Sequence, residues 1–127
     1  MRDVSAMLRS FSYAAAFALR RGRLRPDDAA SLEPWADAWV AWVSAAYLRA
    51  YLRRVGAVSF VPAAEADQKL LLDFYSVEKC VYEVGYELNS RPEWLDIPVR
   101  GLLRMLGNPH PPAPLSLKGE GGGGEPR

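Results

Sequence analysis

The stretch from Ala64 to Leu88, AEADQKLLLDFYSVEKCVYEVGYEL, decides the fold. Leu70, Leu71, Phe74, Val77, Val81 and Val84 recur at spacings of three and four, so a long helix is expected with these residues turned to a core. Asn89-Ser90-Arg91-Pro92 stops it, because the residue before a proline leaves the α region. Working outward, Val4, Met7, Leu8, Phe11, Ala14, Ala15 and Ala18 follow the same template, with Asp3 as the expected N-cap. Pro26-Asp27-Asp28 restarts the chain, and a second long segment carries Trp35, Trp39, Trp42, Ala46, Tyr47 and Tyr51. Ser31 is its expected cap, Pro34 sits near its first turn, and Gly56 ends it after about Val55. Ala57 to Pro62 has a β-rich composition but no second strand pattern to pair with, and reads as a connector. A shorter helix after Pro92-Glu93-Trp94 holds Val99, Leu102, Leu103 and Leu106, with Pro98 in its first turn and Gly107-Asn108-Pro109 as its stop. Four helices with short links predict an all-α, bundle-like domain.

Composition bounds the function. The 127 residues are 50% hydrophobic and 24% charged, with formal net charge +1, one cysteine and one histidine. That describes one globular domain able to bury a core without disulfides or metal. Sixteen basic against fifteen acidic residues leave no net field for a polyphosphate, so nucleic acid is not an expected partner. The local cluster Arg20, Arg21, Arg23 and Arg25 is read first as cations complementing a helix C-terminus, ahead of a phosphate or acidic-partner site. Cys80 alone excludes an intrachain disulfide. His110 as the only imidazole excludes a Cys/His zinc site and an ordered Ser-His-Asp arrangement, so no metal site is expected. No 18-residue apolar run without charges occurs and Met1 to Asp3 does not open a signal peptide, which leads to the expectation of a cytoplasmic protein away from membranes.

Gly107 to Arg127 holds six of the ten glycines and five of the ten prolines. Residues 1–106 are therefore the expected helical domain and 107–127 a disordered low-complexity tail. Its Gly119-to-Gly124 run is not a phosphate loop, which needs a strand before it and a Lys-Ser/Thr pair opening a helix after it.

The residues that can carry chemistry lie in the third helix, where Glu78, Lys79, Tyr82, Glu83, Tyr86 and Glu87 form a polar and aromatic band. Lys79, Tyr82, Glu83 and Tyr86 share one side at i, i+3, i+4 and i+7. A sugar surface needs this mixture, since the CH face of a pyranose stacks on an aromatic ring while its hydroxyls bond carboxylate, ammonium and phenol. The pattern also fits an ordinary Lys79–Glu83 surface ion pair flanked by half-buried tyrosines. Trp35, Trp39 and Trp42 are expected to pack against another helix, and Asp3 to cap its helix rather than to act as a metal or catalytic carboxylate. No His-x-Asp loop, Asp-Phe-Gly/Glu element or strand lysine of a phosphoryl-transfer enzyme occurs, so no catalytic residue is assigned.

Two stretches resemble a known family. Arg2 to Ala15, Arg-Asp-Val-Ser-Ala-Met-Leu-Arg-Ser-Phe-Ser-Tyr-Ala-Ala, is similar to the helix that follows the metal-binding element of bacterial maltokinases, including those fused to trehalose synthase. Val77 to Pro98 is similar to that family's closing run, Glu-Lys-Ala-x-Tyr-Glu-x-x-Tyr-Glu-x-x-x-Arg-Pro-x-Trp-x-x-Ile-Pro. The resemblance covers Arg2 to about Leu106. It implies a helical C-lobe of the aminoglycoside-phosphotransferase and protein-kinase group, and an enzyme that phosphorylates maltose to maltose 1-phosphate with ATP and Mg2+ in trehalose-to-glycogen metabolism. By resemblance Lys79, Tyr82 and Tyr86 contact maltose, with Glu83 and Glu87 beside them, which turns the reading of the band toward sugar recognition.

Ser5, Ala6, Ser12 and Cys80 depart from the family's usual Ala, Gly, Asp and Ala at positions a helix tolerates. The chain lacks the family's ATP-binding lobe and its catalytic and metal-binding carboxylates, so no kinase activity is expected of it alone and no cofactor within it. The partners implied are maltose or a related α-glucoside, and a separately encoded N-terminal kinase part or trehalose synthase. The competing expectation is a non-catalytic helical protein-interaction module.

Overall fold

The computed structural model describes residues 1–22, 25–56 and 58–107. It holds four helices: α1 (Arg2–Arg21), α2 (Pro26–Val55), α3 (Glu65–Ser90) and α4 (Asp96–Gly107), with a single 3₁₀ turn at Pro92–Trp94 before α4. No strand occurs among the described residues. The expected all-α class and the order of its elements are therefore present. Helix α1 packs against α2 and α3, and α3 against α4. The connector contains a turn whose Val61 is buried, and Gln68 Nε2 donates to the Pro62 carbonyl at 2.7 Å. Gly56 ends α2 with φ of 62°, a left-handed conformation that costs glycine nothing. Arg20 and Arg21 occupy the last turn of α1, as the dipole argument expects. Arg23 and residues 108–127, with His110, the glycine run and the expected tail, lie outside the described residues; α4 is described to Gly107.

The faces differ from the expectation more than the elements do. Leu70, Phe74, Val77 and Val81 of α3 are exposed, and so are Val99, Leu103 and Leu106 of α4. The residues α3 buries are Cys80, Glu83 and Glu87, which meet Val4, Ser5 and Arg9 of α1 and Ile97 and Pro98 of α4. Taking about 100° per residue, Cys80, Glu83 and Glu87 fall within about 60° of one another, whereas Val77, Leu70, Val81 and Phe74 lie about 120–180° from Glu83. The helix thus presents to its neighbours the side opposite its apolar stripe. The reason is complementarity: α1 offers Arg9 and Ser5, and these are satisfied by a carboxylate and by Ser76, whose hydroxyl shares a hydrogen bond with Ser5 at 3.2 Å.

Three smaller corrections have local causes. Asp3 does not cap α1; Met1 stands at the N-cap position, and Asp3 lies in the first turn with no capping bond from its side chain. Pro34 lies well inside α2, which begins at Pro26, and Ser31 donates to the Asp28 carbonyl within the helix instead of capping it. The tryptophan stripe is not core: Trp35, Trp39 and Trp42 are 74%, 49% and 78% exposed, and Trp39 meets Phe11 of α1 edge-on. The face of α2 explains this: Trp39 and Tyr47 both meet Phe11, but on the helical wheel Trp35 and Trp42 stand about 120° and 140° from Tyr47, so the stripe lies at the edge of the contact rather than at its centre.

Close approach of α4 depends on Gly101. A Cβ there would lie 2.6 Å from Arg9 Nη1 and 3.0 Å from Cys80 Sγ, and the buried, paired Arg9 cannot yield without loosening its carboxylate. Gly101→Ala is expected to destabilise the domain by about 1–3 kcal/mol, seen as a lower urea midpoint at unchanged slope.

Burial pushes the fully buried Cys80 thiol up to about 11, with the nearby Glu83 adding to the rise and Arg9 opposing it. Below pH 9 the thiol is neutral in both folded and unfolded chains; between 9 and 11 only the unfolded chain loses the proton, so stability falls as pH rises. Wild type should therefore lose up to about 2–3 kcal/mol more than Cys80→Ala between pH 8 and 11 in parallel denaturant titrations.

Candidate functional site

The polar and aromatic band of α3 divides. On the helical wheel Lys79, Tyr86, Tyr75 and Tyr82 follow one another at about 40°, 60°, 80° and 100° to one side of Glu83. Glu83 and Glu87 face inward, 6% and 1% exposed, and the tyrosines stand on the flank.

Each inward carboxylate is engaged by an arginine. Arg9 of α1 donates from Nε to Glu83 Oε2 at 2.9 Å, with Nη2 equally close to that oxygen, and both side chains are about nine-tenths buried. Arg91 grips Glu87 with two parallel bonds, Nε to Oε2 at 3.0 Å and Nη2 to Oε1 at 2.8 Å, the fork geometry that guanidinium and carboxylate share. That carboxylate holds the Arg91 guanidinium above its ordinary range.

Above this pair of anions an aromatic stack closes the inner layer. Tyr13 lies flat on Trp94, rings 7° from parallel and 6.3 Å apart, and the guanidinium groups of Arg20 and Arg91 sit 4.8 and 5.2 Å from the Trp94 ring. The Tyr13 hydroxyl is buried beside the Glu87 carboxylate; burial first, then the Glu83 charge and the interaction with Glu87, holds this phenol far above its usual range. It therefore stays protonated at any physiological pH.

The outward flank forms the candidate site. Lys79 Nζ lies 4.8 Å from the centre of the Tyr82 ring, and both line a groove of about 330 Å³ between α3 and the first turns of α1. Arg2, Asp3 and Ala6 form its α1 wall; Tyr75 and Glu78 complete the α3 wall. Arg2 Nη2 donates to Glu78 Oε1 at 3.0 Å across the groove, an exposed pair. Tyr82 is 63% exposed, so its ring face is open. Tyr86 stands half exposed two turns beyond Lys79, outside the groove lining, with the Arg91 guanidinium 5.5 Å from its ring centre. The structure thus brings Lys79 and Tyr82 together, leaves Tyr86 on the same flank, and places Glu83 and Glu87 behind them. Tyr75, Arg2 and Asp3 were not anticipated there. Tyr75 was legible as the residue four before Lys79 and seven before Tyr82; Arg2 and Asp3 arrive from another helix, which no spacing within α3 announces.

Chemically the groove offers an aromatic face, an ammonium donor and carboxylate acceptors, the complement of a neutral polyhydroxylated ring. No group of three His, Cys, Asp or Glu side chains able to hold a metal ion occurs among the described residues, and no helix is long and apolar enough to cross a membrane. No family model matches this chain, and no solved structure matches it.

The inward layer is testable apart from any ligand. Glu83→Gln leaves a buried guanidinium without its counter-charge and should cost about 3–5 kcal/mol, while Arg9→Met combined with Glu83→Leu, which removes both charges, should recover most of that loss in the same denaturant titration.

Proposed function

We propose that this chain is the sugar-binding, C-terminal portion of a maltokinase-type phosphotransferase, with maltose or a related α-glucoside as its ligand. The observation that carries the reading is the open Tyr82 ring with Lys79 beside it on a groove, at the positions that resemble the family's maltose-contacting helix. In this reading Tyr82 and Tyr86 offer stacking faces and phenolic hydroxyls, Lys79 donates to sugar hydroxyls, and Glu83 and Glu87 act from behind by fixing the rotation of α3. The complete enzyme would phosphorylate maltose to maltose 1-phosphate with ATP and Mg2+, in a cytoplasmic trehalose-to-glycogen route, beside a kinase part or trehalose synthase. The chain by itself is expected to bind sugar without phosphorylating it.

A second reading, a non-catalytic helical module that binds a protein, is favoured by one observation: Trp35 and Trp42 are about three-quarters exposed on α2. The two readings use different helices and separate cleanly.

Calorimetric titration of maltose into the folded chain should give saturable heat. Tyr82→Ala and Lys79→Ala should each weaken binding about tenfold, the loss of a stacking face or of a charged hydrogen bond, with the circular-dichroism spectrum unchanged. Trp35→Ala with Trp42→Ala should leave the titration as it was. Absence of heat from a folded sample overturns the sugar reading.

A further inference from the structure

Opposite the side of α3 that Cys80, Glu83 and Glu87 turn inward runs its apolar row. Leu70, Phe74, Val77, Val81, Val84 and Leu88 follow one another at spacings of 4, 3, 4, 3 and 4. All but Val84 are exposed, Leu70 by 67% and Phe74 by 61%. Over about 27 Å of helix the row therefore keeps a period of about 3.5 residues, the period that holds a stripe against a second helix along its whole length.

Two features say which helix. The spacing reads the same in both directions, so an identical row laid antiparallel matches it pair for pair: Leu70 with Leu88 of the second copy, Phe74 with its Val84, and Val77 with its Val81. Each pair is made twice about a two-fold axis level with residue 79. The row also carries a bump and a hole. Phe74 is its largest side chain, and Gly85 stands about 20° round the helix from it, eleven residues on. A Cβ at Gly85 would meet nothing within 4 Å, and its φ is not positive, so no contact or conformation within one copy requires glycine there. In mid-helix glycine costs helix stability. In the antiparallel register Phe74 enters the space edged by Val81, Val84, Gly85 and Leu88 of the second copy, the four-residue hole that a knob fills.

A parallel pair lacks this fit. Phe74 would meet Phe74, and the acidic first turns with Glu65 and Asp67 would lie side by side. Antiparallel pairing sets those turns at opposite ends and opposes the two helix dipoles. Glu78, beside the middle of the row, is already paired with Arg2 and brings no uncompensated charge to the contact.

We propose that the outer face of α3 is a self-association surface on which a second copy of this chain lies antiparallel, with Phe74 of each in the Gly85 hole of the other. The five exposed side chains of the row present about 500 Å² per copy, so the pair covers about 1,000 Å², the lower bound of a specific interface. The dimer is accordingly weak and forms at high micromolar concentration. Val81 lies about 160° round α3 from Lys79, so the proposal does not rest on the sugar reading.

The test is sedimentation equilibrium of the full chain from about 5 μM to about 1 mM, over which the mean mass should rise from 14.1 kDa toward twice that value. Val81→Glu, at an exposed position, should stay monomeric throughout with an unchanged circular-dichroism spectrum. Gly85→Leu should act in opposite senses: it raises the urea midpoint of the dilute monomer by removing a helix glycine, and weakens the dimer at least about tenfold by filling the hole. Oxidising a mixture of Leu70→Cys and Leu88→Cys should link position 70 of one copy to position 88 of the other, while either variant alone stays unlinked. A chain that is monomeric at every concentration overturns the pairing and assigns the face to a different protein. Dimers of Val81→Glu or of Gly85→Leu as tight as wild type overturn this face and this hole respectively, and a link between two copies of position 70 overturns the antiparallel arrangement.

Discussion

One guanidinium organises the domain. Arg9 leaves α1 with its Nε and Nη2 on Glu83 of α3, Nη2 also reaches toward the Ile97 carbonyl at the start of α4, at 3.5 Å, and Nη1 occupies the space that a Cβ at Gly101 would need. Three helices are thus referred to one side chain. A buried ion pair of this kind is a poor source of net stability, because removing two charges from water costs several kcal/mol per ion before their attraction repays it. Its effect is on geometry: any rotation or slip of α3 against α1 leaves a charge buried without its counter-ion, and that penalty falls on the alternatives rather than on the native arrangement.

This explains which parts of the fold were legible in the sequence. Helix ends depend on local chemistry, so Gly56 and Pro92 mark them in the chain itself, and α2 and α3 end where those residues predict. Helix faces depend on what lies across, and an apolar stripe is evidence of a face only where the contact is apolar. The α1–α3 contact is a seam of Ser5, Arg9, Ser76 and Glu83, so counting Leu70, Phe74 and Val81 selected the opposite side. Trp35 and Trp42 were misread for a related reason, since the face that α2 turns to α1, marked by Tyr47 on Phe11, lies about 120–140° round the helix from them. Arg9 itself gave no signal, because a lone arginine among apolar residues of a helix reads as a surface charge until a carboxylate is found opposite it.

The candidate site inherits its form from the same seam. With Glu83 fixed inward, helical geometry alone sets Lys79, Tyr86, Tyr75 and Tyr82 about 40–100° away, beside α1 rather than beneath it or on the free face. Spacing within α3 therefore made the Lys79–Tyr82 pairing legible, and the 4.8 Å contact between them needs no tertiary partner. The other wall of the groove was not legible, because Arg2 and Asp3 reach it only through the docking of α1.

Polar seams also decide what such a domain can do with its surface. Had α3 buried its apolar stripe, the flank would have turned with it by about 150°, carrying Lys79 to the side opposite α1 and Tyr82 to the other edge of the contact, so that the two would no longer share a wall with α1. Burying Arg9 and Glu83 instead leaves Leu70, Phe74 and Val81 in water, an unfavourable exposure that a fold selected for core burial alone would avoid. The arrangement therefore trades hydrophobic burial for a fixed orientation of one helix flank. That trade is intelligible where the flank, held at a set angle to α1, is the working surface.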